Sequence, residues 1–257
     1  MNRVAVKIAY LGDGFSGSQV QPDARTVEGQ ILDDLRTVLK TDSDAGLRVA
    51  SRTDKGVNAL GNVIVVDSPF QDESVLLKAL NSVSDGVFYR SYARVDDGFN
   101  PRYASKRVYE YRAHARGMDL DLATKCAGIF QGEHDFARFC RADGKPTVVT
   151  IDNVTVTPDG DDLILRYEAR YFLWNMIRRM SAAVMSVATG KYSLDEVRRA
   201  LDGEDISFGV ARPDALTLVD VTYDGIGFVH PVMDAFRPRV NEELFSLELR
   251  RSFLESL

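Results

Sequence analysis

Two hydrophobic periods alternate along this chain, and their order restricts the fold more than any other feature. In RVAVKIAY the residues Val4, Val6, Ile8 and Tyr10 recur at every second position, which puts them on one face of an extended strand. Between Val27 and Leu39 the spacing changes. Val27, Ile31, Leu35, Val38 and Leu39 recur at three and four, the stripe of a helix buried along one side. LRVASRTDKGVNALGNVIVVD then reads as a short strand, a polar turn and a second strand, with Gly56 and Gly61 permitting tight backbone. A second helix is predicted from about Glu73 to Val83, with Asp72 and Glu73 suited to its positive first turn. VFYRSYARV reads as a further strand.

The remainder repeats that order in kind, without any repeat of sequence. KRVYEYRAHA reads as a strand, followed by a helix around Leu120 to Phe130 that ends at Gly132. IDNVTVTPDGDDLILRYEA predicts a hairpin turning at Pro158, Asp159 and Gly160. A long helix is predicted from about Phe172 to Thr189, stopped by Gly190. Ser193 and Glu196 form a capping box for a short helix, and LTLVDVTYD is the last strand, ahead of the terminal FSLELRRSFLESL. Strands with one apolar face, covered by helices, give a two-layer α+β architecture. The polar junction at Asn100 to Arg102, with Pro101, divides the chain into 1–101 and 102–257.

Composition narrows the function by exclusion. The apolar and charged shares, 45% and 27%, are ordinary for a soluble globular chain. Cys126 and Cys140 lie in no metal-like spacing and do not make a disulfide framework, so a reducing, cytoplasmic setting is expected. No stretch reaches the roughly 18 apolar residues of a membrane span, and the start lacks the apolar run of a signal peptide. GDGFSG lacks both the third glycine of a dinucleotide fingerprint and the ending of a phosphate loop, so no nucleotide cofactor is expected. His114, His134 and His230 are too scattered to imply a metal.

The net charge of -6 argues mildly against nucleic acid, yet the cations cluster. One seam runs from Arg102 to Arg116 and includes Lys106 and Arg107. Another runs from Arg166 to Arg179 and includes Arg170, Arg178 and Arg179. Arg52 and Lys55 flank Asp54 in SRTDKGVNA. Such basic seams fit RNA, and they equally fit an evenly mixed surface. Two adjacent cations favour an ionised carboxylate at Asp54, ready to act as nucleophile or base. An aspartate in a turn also caps its own backbone, so both roles stand. Tyr109 and Tyr111 share one strand face, either as sheet aromatics or as stacking surfaces.

SRTDKGVNALGNV is similar to G-R-T-D-x-G-V-H-A, the signature of the TruA-type tRNA pseudouridine synthases. AYLGDGFSGSQVQPDARTVEGQI, SKRVYEYRA, GEHDFARFCR, YFLWNMIRRM and ARPDALTLVDVTY resemble further segments of that family in the same order. The likeness covers nearly the whole chain, and its compact length and SRTDKGV look archaeal. The resemblance implies isomerisation of uridine to pseudouridine in the anticodon arm, without cofactor or metal, by a homodimer that binds tRNA. It implies two ferredoxin-like or RNA-recognition-like halves meeting at a central cleft. Asp54 matches the essential aspartate, and Arg52 the arginine that helps flip and hold the nucleotide. Tyr109 matches the tyrosine that stacks on uracil, and Arg178 the helix arginine that pairs with the aspartate. Phe172 and Leu173 are expected beneath the pocket.

Lys55, Asn58, Tyr111, Lys106, Arg107, Arg170 and Arg179 are the expected tRNA contacts. Two departures stand out. Ser51 replaces a glycine, with no consequence expected, and Asn58 replaces a histidine, which alters RNA contacts. Cys140 and Trp174 read as core or near-core filling, with no chemical role needed. The aspartate either attacks C1′ or removes the C2′ proton. The competing reading is a non-catalytic RNA-binding protein with paired α+β domains, which would not need Asp54, Arg52 and Arg178 together.

Overall fold

Thr26 and Asp72 start the two helices of the first half, each accepting a backbone N–H that the first turn leaves unpaired. The computed structural model describes residues 1–144, 146–231 and 236–256. The first half contains β1 (Asn2–Tyr10), α1 (Val27–Leu39), β2 (Arg48–Val49), β3 (Asn58–Ser68), α2 (Glu73–Val83) and β4 (Val87–Arg94). Then come β5 (Lys106–His114), α3 (Leu120–Ile129), β6 (Gly132–Asp135), β7 (Val148–Ile151), β8 (Asn153–Asp159) and β9 (Asp162–Ala169). The chain closes with α4 (Met176–Ala188), α5 (Leu194–Leu201), β10 (Leu216–Thr222) and α6 (Arg237–Glu255). The α+β class is as expected.

Eight strands join in one sheet of order β4-β1-β3-β10-β5-β9-β8, with β2 pairing against β3. Its neighbours are antiparallel except at one seam. There β3 and β10 run parallel over two pairs, Asn58 with Thr217 and Ala59 with Leu218. Gly61 permits that seam. A Cβ at this position would stand 2.5 Å from the Val219 carbonyl oxygen and 3.0 Å from the Asp220 Cα. On the far side of β10, Leu218 pairs with Tyr109 and Leu216 with Tyr111. The seam therefore brings the start of β3 within one strand of the tyrosine face of β5.

Val4, Val6, Ile8 and Tyr10 are buried as their alternation requires, in one apolar core with Ile31, Leu35, Leu76 and Leu80 of the two helices. Ala5 and Ala9, of opposite parity, are buried as well. Residues near the chain's end cover that second face. Phe228 lies under Lys7 at 4.8 Å, and Phe236 meets Phe88 edge-on at 5.6 Å.

Two local expectations are corrected, and two features were not anticipated. The long helix begins at Met176, four residues later than predicted, because Asn175 takes a left-handed conformation (φ 61°) and the Met176 N–H closes a turn on the Leu173 carbonyl. The hairpin turns at Gly160 and Asp161, since Asp159 pairs with Asp162. Pro158 belongs to β8, where an edge strand tolerates its missing N–H. Finally, the β6–β7 ribbon and the terminal helix α6 were not foreseen from the periodicity. Each strand of that ribbon has only four residues, and large apolar residues of α6 remain exposed.

Candidate active site

Asp54 sits in the loop between β2 and β3, and that loop is fastened on both sides. Ser18 and Thr53 exchange two bonds: the Ser18 N–H donates to the Thr53 carbonyl at 3.1 Å, and the Thr53 N–H to Ser18 Oγ at 2.8 Å. The buried Tyr10 hydroxyl meets Thr53 Oγ1 at 2.8 Å. The Asn62 amide accepts from the Ser51 N–H and donates to the Ser51 carbonyl. The glycine turn presses directly against this loop, because a Cβ at Gly12 would stand 2.4 Å from the Val57 carbonyl oxygen. The carboxylate therefore projects from backbone that is already rigid.

Both carboxylate oxygens carry a donor from the turn and helix that follow β9. Arg178 Nη1 donates to Asp54 Oδ2 at 3.2 Å, and Trp174 Nε1 donates to Oδ1 at 3.0 Å. Arg178 is itself held, with Nε on the Ala211 carbonyl at 2.8 Å and Nη1 on Asn175 Oδ1 at 3.0 Å. The Ala211 N–H returns a bond to the Arg178 carbonyl. The Asp54 side chain keeps 33% of its surface exposed against 17% for Arg178, so the pair faces an open space from a half-buried base.

Tyr109 lies in the wall of the same region. Its ring is buried and meets Phe172 edge-on, centroids 5.4 Å apart at 85°. Burial raises the phenol above its ordinary range, and the neighbouring Arg107 works in the opposite direction. The group is therefore a neutral hydroxyl at physiological pH. Phe172 and Leu173 are partly buried against the core.

The remaining predicted residues divide. Arg52 and Lys55 are exposed beside Asp54. Arg52 opens on a cavity of about 300 Å³ shared with Arg48, Asn100, Arg102 and Glu28. Tyr111 is buried and lines a second cleft with Asn58, Arg212 and Asp214. Lys106 pairs with Glu168 at 2.9 Å, and Arg170 is exposed. Arg179 is half-buried, its Nε without a hydrogen-bond partner among the described residues.

Two expected RNA contacts serve the fold. Arg107 is buried, with Nε on Ser51 Oγ at 2.8 Å and Nη2 on the carbonyls of Ala50 (3.1 Å) and Arg102 (3.0 Å), while Nη1 donates to the Arg170 carbonyl. Four of the five guanidinium N–H groups are thereby spent on the protein itself. Asn58 ties two loops together, accepting from the Gly12 N–H at 2.8 Å and donating to the Asp214 carbonyl at 2.9 Å. Ser51, expected to be neutral, is the acceptor that anchors Arg107.

Trp174 was missed: it was read as core or near-core filling, whereas the indole is 43% exposed and bonded to Asp54. No local signal marked it, because Trp174 lies ahead of α4, beyond the left-handed Asn175, and its partner is 120 residues away. Among the described residues, no group of three His, Cys, Asp or Glu side chains is placed to hold a metal ion. No described helix is long and apolar enough to cross a membrane.

Comparison with known proteins adds the following. A family model described as tRNA pseudouridine synthase matches residues 127–224, which include Trp174 and Arg178 but not Asp54. A tRNA pseudouridine synthase A of Pyrococcus abyssi is 40% identical over 231 residues, covering 88% of this chain and 86% of that protein. Its counterpart in Pyrococcus horikoshii is 38% identical over 259 positions, covering 98% and 97%. That of Methanobrevibacter smithii is 34% identical over 281 positions, covering 100% and 96%.

Proposed function

The chain belongs to the tRNA pseudouridine synthase family, and from that premise we propose that Asp54 is the group that acts on the target nucleoside. The reaction isomerises uridine in tRNA to pseudouridine. The bond from ribose C1′ to N1 of the uracil breaks, the base turns, and a new bond joins C1′ to C5. The proton lost from C5 is matched by one gained at N1, so atoms and charge balance with no change of redox state.

A base paired in a helix hides its ribose carbon from any side chain, so the nucleotide must be extruded, at a cost of a few kcal/mol. The open face of Asp54 provides the place for the extruded ribose. Its carboxylate, held between Arg178 and Trp174, either attacks C1′ or takes the C2′ proton. Both routes need an anion, and the Arg178 guanidinium stands 3.2 Å from one of its oxygens. Tyr109, buried in this structure and met edge-on by Phe172, supplies the aromatic surface for the uracil once the entering base displaces the side chains that cover the ring. Its hydroxyl, kept neutral by burial, relays the C5 proton only by donating as it accepts, and a water is the other carrier. The exposed Arg52, Lys55 and Arg170 and the half-buried Arg179 are assigned, on their charge, to the phosphates.

The anticodon arm is the proposed target region, by resemblance to the family. We read the fold as two ferredoxin-like halves, 1–101 and 102–257, meeting at the cleft. The strand orders β4-β1-β3-β2 and β10-β5-β9-β8 support this, each being fourth, first, third and second of its own quartet. A homodimer is supported by Leu244, Phe245, Leu247, Leu249, Phe253 and Leu254 of α6, which are all more than half exposed and call for cover. The free, buried Cys126 and Cys140 suit a reducing cytoplasm.

The observation that carries this reading is the Asp54–Arg178 pair, set 124 residues apart in sequence and joined at 3.2 Å. The test is incubation with an unmodified tRNA transcript, followed by carbodiimide mapping of pseudouridine. New stops in the anticodon arm, with RNA mass unchanged, are expected. A transcript without stops, or one carrying a mass change, would contradict the assignment.

A further inference from the structure

The chain has one tryptophan, and its indole N–H lies on an oxygen of Asp54. Such a contact by a half-exposed ring would be incidental if the ring were free to turn. It is not free. The Arg141 N–H donates to the Trp174 carbonyl at 2.8 Å, and the guanidinium of the same Arg141 lies 4.0 Å from the centroid of the indole. One residue thus grips both the main chain and the face of Trp174. On the other side, the left-handed Asn175 and the turn into α4 fix the backbone from which the ring projects.

The chemistry of the donor matters. An indole N–H donates and does not accept, and it carries no charge to exchange with the carboxyl. It therefore holds the Asp54 oxygen in place without offering a site that could take up a proton. A second donor from Arg178 sits on the other oxygen. Two donors on two oxygens define the plane of the carboxylate, while each oxygen keeps further lone-pair capacity for the ribose. That orientation is set before tRNA arrives, and preorganised donors of this kind need no rearrangement at the moment of reaction.

We propose that Trp174 is a positioning residue for Asp54, held in place by Arg141. The inference rests on the assignment of Asp54 made above and goes beyond it, because it says how the carboxylate is aimed.

Two measurements test it. Trp174→Phe keeps the ring for Arg141 and removes only the N–H. A hydrogen bond to a charged acceptor is worth enough that kcat should fall about ten- to a hundredfold, with KM and the Kd for tRNA within about twofold of wild type. Wild-type kcat in this variant would overturn the proposal. So would a loss of tRNA affinity as large as the loss of turnover, which would make the indole an RNA contact.

The second measurement needs no activity. As the sole tryptophan, Trp174 reports its own surroundings, so Asp54→Ala without RNA should shift its emission maximum and its acrylamide quenching. Unchanged emission and quenching would overturn the contact itself. A shift seen alongside a wild-type enzyme that forms no pseudouridine would overturn the functional assignment and leave the contact standing.

Discussion

Arg107 and Ser51 meet at 2.8 Å behind the Asp54 loop, guanidinium Nε on hydroxyl Oγ. The same guanidinium holds the carbonyls of Ala50, Arg102 and Arg170, so it ties the loop to β5 and to the approach to α4. Burial lowers the pKa of this arginine, the mark of a desolvated cation sustained by its hydrogen bonds. Arg107→Met should lower stability by about 2–4 kcal/mol, because several buried carbonyls lose their donor together. Urea unfolding checks this, and an unchanged midpoint would contradict it.

Arg178 both charges the site and spaces it, through Asp54 Oδ2 and the Ala211 carbonyl. Arg178→Ala should reduce kcat by about a hundredfold or more, on the scale of removing one preorganised donor from a reacting centre. Arg178→Lys should recover little, since a single ammonium cannot reproduce the forked contacts. Steady-state kinetics with full-length tRNA decides the point. Turnover by Arg178→Ala near the wild-type rate would remove this residue from the mechanism.

Tyr109 offers the uracil its ring, while Phe172 holds that ring edge-on. If the ring is what counts, Tyr109→Ala should lose at least about tenfold more kcat/KM than Tyr109→Phe, matching the energy of one base stacked on one aromatic. Equal losses would move the role from the ring to the hydroxyl.

Alkaline stability follows from the buried phenols. Desolvation raises the pKa of Tyr10, Tyr109 and Tyr167 above the ordinary 10.0. The unfolded chain therefore ionises first as pH rises, and the stabilisation, complete below 10.0, is lost as pH climbs through the folded values. Unfolding free energy should be level near neutrality and fall above about pH 10. Tyr167→Phe should flatten that fall, and a slope identical to wild type would show that Tyr167 makes no contribution.

Much of the frame was legible because local signals agreed with one another. The stripes of α1 and α2 coincide with caps at Thr26 and Asp72, and the structure gives the predicted bounds. Asp54 and Arg178 were reached through the motifs around them. Arg107 was misread as surface charge although its parity told otherwise: it shares the inward face of β5 with Tyr109 and Tyr111. Trp174 escaped because its partner lies 120 residues away, and a large apolar side chain suggests burial when nothing local points to a polar contact. The seam between β3 and β10 was invisible for a related reason. Its two residue pairs join strands far apart in the chain, and only Gly61 hints at the close approach.

The most direct test is single-turnover pseudouridine formation by Asp54→Asn, measured beside its affinity for tRNA. The amide keeps the shape and removes the charge. No detectable product, with tRNA bound within about twofold of the wild-type Kd, is expected when the anion acts at the ribose and contributes little to docking. Pseudouridine appearing at the wild-type rate would contradict the assignment of Asp54.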